Sequence, residues 1–527
     1  MSTQTWQRSG LRKPTAGRPA LRSALDRPSV TVPAAVALAL ALLYLFAWPR
    51  TADLAAQAAR GELFSRAGDV AWWAGWYGGT STASYSLTTP ALLGLLGPVW
   101  LGAISLAATP LAALPVLALA RRPLAGGVGL ALVAAADVAV GRTTFAVGVV
   151  AALLSLGAAS RGRGWIAAAF GLLTVVTSPV AGVLALIPAT AAGIVNVRRR
   201  TAWLAAAAGI LVGLLLLWLL SGGGVAGSQP FSAVDALPVL GTCLVVAISP
   251  VGRALRLTAA LGIVAALGAF VISSPMGSNM ARLVLLGAVP AVLANARLAR
   301  AGLLLAAALA AVLPVTNLVG ELMAANRPGS SQPFVAGLQN RLLATPGLAG
   351  ERVEVVDVAT HWPSTRLLPT VTLARGWERQ ADEALNPEFY RAGALSSLSY
   401  RDFLDRNAVG LVAVPTAVQL DFGSVAEAAL IDQGLPYLHQ IWSDANWRLY
   451  AVDRPAPAVE GAATNIRFTD AGLDFTAAAA GDYLLRMRWS PTLVVDHGTV
   501  ERQSDNTVLV HLDQPGPARV HGVWQLP

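Results

Sequence analysis

Acids and bases are scarce enough in this chain that each one inside or beside an apolar run calls for a reason. Asp137 is the acid set deep in such a run, Ala134-Ala135-Ala136-Asp137-Val138, and Arg142 follows five residues later. An ionised side chain at membrane depth costs at least about 2.5–3.5 kcal/mol. The two residues therefore read as a substrate or proton site, or else as an internal ion pair facing a wet bundle interior. The stretch 49–89 holds Asp53, Glu62 and Asp69, then Trp72-Trp73-Ala74-Gly75-Trp76-Tyr77. A carboxyl partly buried by aromatic neighbours moves towards neutrality and can deprotonate a hydroxyl. Asp69 adjoins the aromatic run and is the first candidate, ahead of Glu62 and Asp53. The plainer reading of the same stretch is an interfacial helix that anchors the loop, because Trp and Tyr prefer the membrane surface. Arg282 closes Ser278-Asn279-Met280-Ala281-Arg282. With Arg142 it offers guanidinium forks that fit phosphate oxygens, or that pair with acids of a C-terminal domain.

The elements that must position these residues are apolar helices. Of 527 residues, 55% are hydrophobic and only 13% charged, and the mean hydropathy is +0.58. A soluble domain carries about 25% charged residues, so a cytosolic enzyme, a disordered chain and a coiled coil are all excluded. Residues 1–324 hold 22 of the 38 Lys and Arg and 7 of the 29 Asp and Glu. The basic clusters stand between apolar runs, without interleaved aromatics, so nucleic acid is not the partner. A span needs about 20 apolar residues, and about eleven segments qualify between Val30 and Leu322, several of them short. The second, Pro90–Ala120, contains Pro98, Pro110 and Pro115 and reads as kinked or tilted. With eleven spans and a cytoplasmic N-terminus, the clusters at 8–27, 121–122, 161–163, 198–200, 253–256 and 297–300 all fall on the cytoplasmic side. The C-terminal part is then extracytoplasmic.

The expected organisation is a cytoplasmic basic tail (1–29), a transmembrane domain (30–324) with a long first outer loop (49–89), an extracytoplasmic α/β domain (325–460) and a small β-rich, sandwich-like domain (461–527). The fold class is an all-α polytopic membrane bundle carrying those two units. The first apolar run lacks a small-residue cleavage pattern and reads as an uncleaved span. Ser221–Gly227 reads as a flexible linker. There is no phosphate-binding Gly-Lys-Ser/Thr loop, no Asp-x-Asp pair in the outer loops and no metal-ligand spacing of His, Asp or Glu. No cofactor is evident, and a divalent metal is left open. The single Cys243 reads as a small membrane-buried hydrophobe. His361, His439 and His497 read as structural or surface residues.

Four stretches carry a resemblance: Gly141-Arg142-Thr143-Thr144-Phe145, Thr177-Ser178-Pro179-Val180-Ala181-Gly182, Gly277–Leu283 and Ala374-Arg375-Gly376-Trp377-Glu378-Arg379-Gln380. They resemble segments of uncharacterised actinobacterial integral membrane proteins, a group similar to the C-type (GT-C) glycosyltransferase superfamily and to the pyruvoyl-tetrahydropterin-synthase-related membrane proteins. The resemblance implies a multi-pass protein of the cytoplasmic membrane that transfers a sugar from a polyprenyl-phosphate donor to an envelope glycan or lipid acceptor. An acid of the first outer loop would be the base, a role falling on Asp69, or on Asp53 or Glu62. Arg142 and Arg282 would hold the phosphate, and Trp72, Trp73, Trp76 and Tyr77 would line the lipid entrance. The paired acids of many GT-C members are absent. Two other readings are a transporter or lipid flippase using Asp137, and a non-catalytic envelope scaffold.

Overall fold

The computed structural model describes residues 26–221 and 227–525. Most of the basic tail, and the Gly-rich stretch after Ser221, lie outside the described residues.

Fourteen α-helices lead up to the C-terminal part: α1 (Arg27–Ala47), α2 (Ala52–Ala67), α3 (Thr89–Leu96), α4 (Pro98–Ala112), α5 (Leu114–Leu117), α6 (Pro123–Ala139), α7 (Thr143–Ser160), α8 (Gly164–Thr177), α9 (Pro179–Val195), α10 (Arg200–Leu220), α11 (Ala233–Ile248), α12 (Arg253–Val271), α13 (Ala281–Asn295) and α14 (Arg300–Ala324). Seven stretches are long and apolar enough to cross a membrane: Arg27–Ala47, Pro98–Leu117, Thr143–Ser160, Val197–Leu220, Arg253–Val271, Gly277–Asn295 and Arg300–Ala324. Helices α6, α8, α9 and α11 are apolar but shorter. Outward faces carry exposed Leu42, Phe46, Leu215, Val264, Leu305 and Val312, the surface that lipid covers. This is a multi-pass membrane protein. The expected Pro-rich second span is broken rather than kinked: α3 ends at Gly97, whose φ is +77°, and Pro98 opens α4 at a position where its missing N–H costs nothing.

Turn-to-turn contacts sort the connections into two ends. At one end the α5–α6 turn meets the α13–α14 turn, where Arg122 N–H donates to Ala294 O at 2.9 Å, and Arg297 N–H donates to Pro250 O at 3.1 Å. The arginine clusters of residues 121–300 sit here. At the other end Leu87 N–H donates to Val176 O and Gln229 N–H to Ser274 O, both at 2.9 Å. The C-terminal unit is attached at this second end.

That unit begins with α15 (Gln332–Leu343) and a mixed four-stranded sheet. Two very short strands of the first loop, β1 (Trp72–Trp73) and β2 (Thr80–Ser81), pair antiparallel ahead of it in the chain. In the sheet, β3 (Arg352–Val355) runs parallel to β4 (Val409–Pro415), and β6 (Trp447–Val452) joins β4 to β5 (Leu438–Ser443) antiparallel. Helices α16 (Trp362–Arg366), α17 (Arg379–Leu385), α18 (Ser397–Arg406) and α19 (Val425–Asp432) pack around it. Strands β7 (Val459–Glu460), β8 (Ala463–Thr469), β9 (Gly472–Ala477), β10 (Gly481–Leu485), β11 (Leu493–Val495), β12 (Gly498–Arg502), β13 (Val508–Leu512) and β14 (Gly516–Gly522) form two four-stranded sheets, ordered β12-β13-β10-β7 and β11-β14-β9-β8. Their alternating inward residues, among them Tyr483 and Val510 from one sheet and Phe475 and Val520 from the other, share one core.

The aromatic run of the first loop is buried within the protein. Trp72, Trp73, Trp76 and Tyr77 are each at most 2% exposed. Trp73, Trp76 and Tyr77 pack with Val353, Leu411 and Trp447 of the mixed sheet, whereas Trp72 packs into the sandwich core. Leu373 N–H donates to Gly75 O at 3.1 Å and Arg488 N–H donates to Gly78 O at 2.8 Å. The expected lining of a lipid entrance is thus corrected: these rings are the mortar between the two halves of the C-terminal unit. Aromatic enrichment says that the rings leave water, worth roughly 4–6 kcal/mol per ring before entropy is counted. It does not say whether they leave it for lipid or for protein.

Candidate functional site

The turn between α6 and α7 meets the start of α2 at the end of the bundle beneath the C-terminal unit. Gly141 makes this contact possible. Its φ is +90°, and a Cβ there would stand 2.5 Å from both Leu54 N and Thr51 Oγ1. The close approach brings Arg142 Nε to 3.4 Å from Asp53 Oδ2, and Arg142 Nη1 to 3.5 Å from Asp137 Oδ1. Asp137 is buried and its second oxygen has no partner. Asp53 is more open, with 39% of its side chain exposed, which leaves Oδ1 free of any hydrogen bond among the described residues. Arg282, in the first turn of α13, lies with its guanidinium carbon 4.9 Å from the centre of the Phe145 ring. It is within electrostatic reach of Asp53, Asp137, Arg142 and Tyr85. Among the described residues it has no carboxylate within 4.0 Å and no hydrogen-bond acceptor.

A polar chain leads from this group towards the C-terminal unit. Thr144 Oγ1 donates to Gln57 Oε1, and Gln57 Nε2 donates to the Tyr85 hydroxyl. The Arg60 guanidinium covers the Tyr85 ring at 3.6 Å and pairs with Glu378 at 2.6 Å. Glu321, near the end of α14, is within electrostatic reach of Asp53, Arg142 and His361. Sequence reasoning passed over Gln57, Arg60 and Glu321. Glu321 had a usable signal, an acid close to the end of the last apolar run; Gln57 and Arg60 had none.

The other expected site residues lie elsewhere. Asp69 follows the end of α2, exposed and without an ion pair or hydrogen bond among the described residues. The helix from Asp53 to its end at Ala67 is about 21 Å long, and Asp69 lies beyond that end. Glu62 is 3.7 Å from Arg66 on the open face of α2, an ordinary surface pair. Asn279 is buried, its Nδ2 donating to Pro275 O at 3.1 Å within its own turn. The structure therefore gathers Asp53, Asp137, Arg142 and Arg282, and leaves Asp69, Glu62, Asn279 and the four aromatics out.

The C-terminal unit grips the start of α2. Trp377 Nε1 donates to Ala52 O at 2.9 Å, Trp362 Nε1 to Thr51 O at 3.2 Å and Thr365 Oγ1 to Ala55 O at 2.8 Å. The His361 ring stacks on Trp377 at 3.3 Å and lies 2.6 Å from Asp357 and 3.4 Å from Asp421. Burial pushes this imidazole down, but Asp357 and then Asp421 outweigh it and hold His361 up at about 9. The ring is a buried cation at neutral pH, not a general base. A histidine whose folded pKa stands above its unfolded value adds stability that is complete below pH 6.5 and is lost as pH rises through about 9. The loss amounts to about 3 kcal/mol. Thermal unfolding of the full chain in detergent should show a midpoint that falls across that window. His361→Asn, which tolerates the residue's φ of +56°, should flatten the fall.

Two cavities flank α17. One of about 370 Å³ lies between the C-terminal unit and the membrane helices and is lined by Ser273, Ser274, Pro275, Glu383, Tyr390 and Arg391 among others. One of about 330 Å³ on the other side includes Arg488, Trp489 and Arg502. Among the described residues, no three His, Cys, Asp or Glu side chains are grouped to hold a metal ion. Comparisons with protein-family models, curated proteins and solved structures found no match for this chain.

Proposed function

We propose that this chain is a GT-C-like membrane glycosyltransferase that moves a sugar from a polyprenyl-phosphate donor to a hydroxyl of an envelope glycan or lipid at the outer face of the cytoplasmic membrane. The carrying observation is Arg282, a half-buried guanidinium without a carboxylate partner among the described residues, beside the Asp53–Arg142 pair. A cation half withdrawn from water with acids nearby but no direct ion pair is only partly compensated, so the position favours an anionic ligand. A lipid phosphate reaching the end of the bundle supplies one.

In this reading the acceptor oxygen attacks the anomeric carbon and the bond from that carbon to the phosphate oxygen breaks. The acceptor proton passes to Asp53 Oδ1, and polyprenyl phosphate departs with its charge between Arg142 and Arg282. In this reading the four shorter apolar helices cross the membrane along with the seven long ones, giving eleven crossings. An odd count with the arginine clusters gathered away from the C-terminal unit supports an N-terminus inside and that unit outside. Asp137, paired with Arg142, supports the donor site as a fixed counter-charge; this pairing also speaks against the coupling acid of a transporter.

The test is turnover of a polyprenyl-phosphate sugar by the purified chain in lipid vesicles. Arg282→Gln should lower kcat/KM about 10- to 100-fold through loss of a charge-assisted phosphate contact. Asp69→Asn should run at the wild-type rate. An Arg282→Gln enzyme as efficient as the wild type would remove the basis of the assignment.

A further inference from the structure

We propose that the groove of about 330 Å³ beside α17 binds an anionic, hydroxyl-rich ligand, a phosphate-bearing polyol, through Arg488, Arg502 and Ser81. The inference does not rest on the transferase reading, because the groove shares no residue with the Asp53 group.

The charge of the groove comes first. Its described lining contains two arginines and no acid. Arg488 Nε donates to Tyr77 O at 3.2 Å, which fixes the side chain, yet among the described residues no carboxylate lies within 4.0 Å of it. Burial, with Arg406 nearby, lowers this guanidinium to about 10, so it stays cationic at neutral pH while remaining under-compensated. Arg502 lies 5.2 Å from the centre of the Trp489 ring and is likewise without an ion pair among the described residues. Two guanidinium forks facing one space without an acid suit phosphate oxygens.

Polar groups that call for hydroxyls come second. Ser81 Oγ is buried in the wall with no hydrogen-bond partner among the described residues, and a buried hydroxyl left unpaired is expensive. A ligand hydroxyl would satisfy it once the Ser81 side chain turns towards the groove. The Asn506 amide also takes no side-chain hydrogen bond among the described residues, and it offers both a donor and an acceptor. The indole of Trp489 supplies an apolar wall for the C–H face of a ring. The volume lies in the range of sites that enclose a small ligand. Ser221, at the end of α10, forms part of the rim, so a polyol can arrive either on a soluble molecule or on a lipid headgroup.

Binding to the full chain in detergent micelles separates these sources. Inositol 1-phosphate is titrated calorimetrically in one arm, and phosphatidylinositol carried in the same micelles in the other. Binding of inositol 1-phosphate assigns a soluble source; binding of phosphatidylinositol alone assigns the headgroup. In either case Arg502→Gln, an exposed position, should weaken binding about tenfold, and Ser81→Ala should weaken it several-fold with an unchanged melting temperature. Failure of both probes to bind, or equal affinity in Arg502→Gln, would overturn the proposal. Neither result bears on turnover, so this inference and the transferase reading fail separately.

Discussion

Asp53→Asn should lower kcat about 10²- to 10⁴-fold, the usual contribution of a positioned general base, with little change in KM. Asparagine keeps the volume of the side chain and still offers an oxygen to Arg142, which stands 3.4 Å from Oδ2 in the native chain. What it loses is the capacity to take the acceptor's proton. Folding should survive, because Asp53 is the most open member of the group and Arg142 retains Asp137. A fall in kcat at a nearly constant KM is a split that a merely structural role would not cause. The controls are Asp69→Asn and Glu62→Gln, both expected near wild type. Wild-type kcat in Asp53→Asn would take the base away from this helix. A dead Asp69→Asn would move it to the far end of α2.

Apolar helices are legible in the sequence because apolar content is compositional, and seven of them are long enough to cross a membrane. The sequence says less wherever two distant stretches meet. Asp69 ranks above Asp53 in the sequence since it adjoins the aromatic run, but it stands beyond the end of α2 opposite to the one that meets Arg142. The contact that matters joins residues 89 apart, and no local pattern encodes it. One short stretch, Gly141–Phe145, supplies most of the contacts of the group. Gly141 packs on α2, Arg142 forms both ion pairs, Thr144 reaches Gln57 and Phe145 lies beneath Arg282. Several sandwich strands were legible by alternation and turn residues. The hairpin of β5 and β6 was not, nor was β12, whose Gly498–Arg502 faces are largely polar.

The stretch around Arg375 carries the largest stability prediction. Gly376 accepts the Trp76 ring where a Cβ would stand 2.1 Å from it; Glu378 pairs with Arg60, Arg379 with Asp421 at 2.7 Å, and Gln380 reaches Pro275 O at 3.2 Å. Arg375 itself is buried among three acids, with Nε 2.8 Å from Glu354, Nη2 2.5 Å from Glu427 and Nη1 3.5 Å from Asp382. Burial raises all three carboxyls, and Arg375 opposes that rise in each. Tyr400 and Tyr390 hydroxyls, each at 2.8 Å, donate to Glu427 and Asp382. Removing one partner from such a group leaves buried charge uncompensated, so Arg375→Met should destabilise the chain by about 3–5 kcal/mol at neutral pH. Without the guanidinium the carboxyls rise further above their unfolded values. Stability from such groups is complete at acid pH and lost as pH rises through the folded pKa, so the deficit should shrink on acidification. Adding Glu354→Gln and Glu427→Gln to Arg375→Met should recover part of it, because neutral amides need no counter-ion. Unfolding midpoints of the full-length variants in detergent, taken at acid and neutral pH, decide the matter: a deficit independent of pH would mean that Arg375 acts through packing on Phe389, 3.9 Å away, rather than through charge.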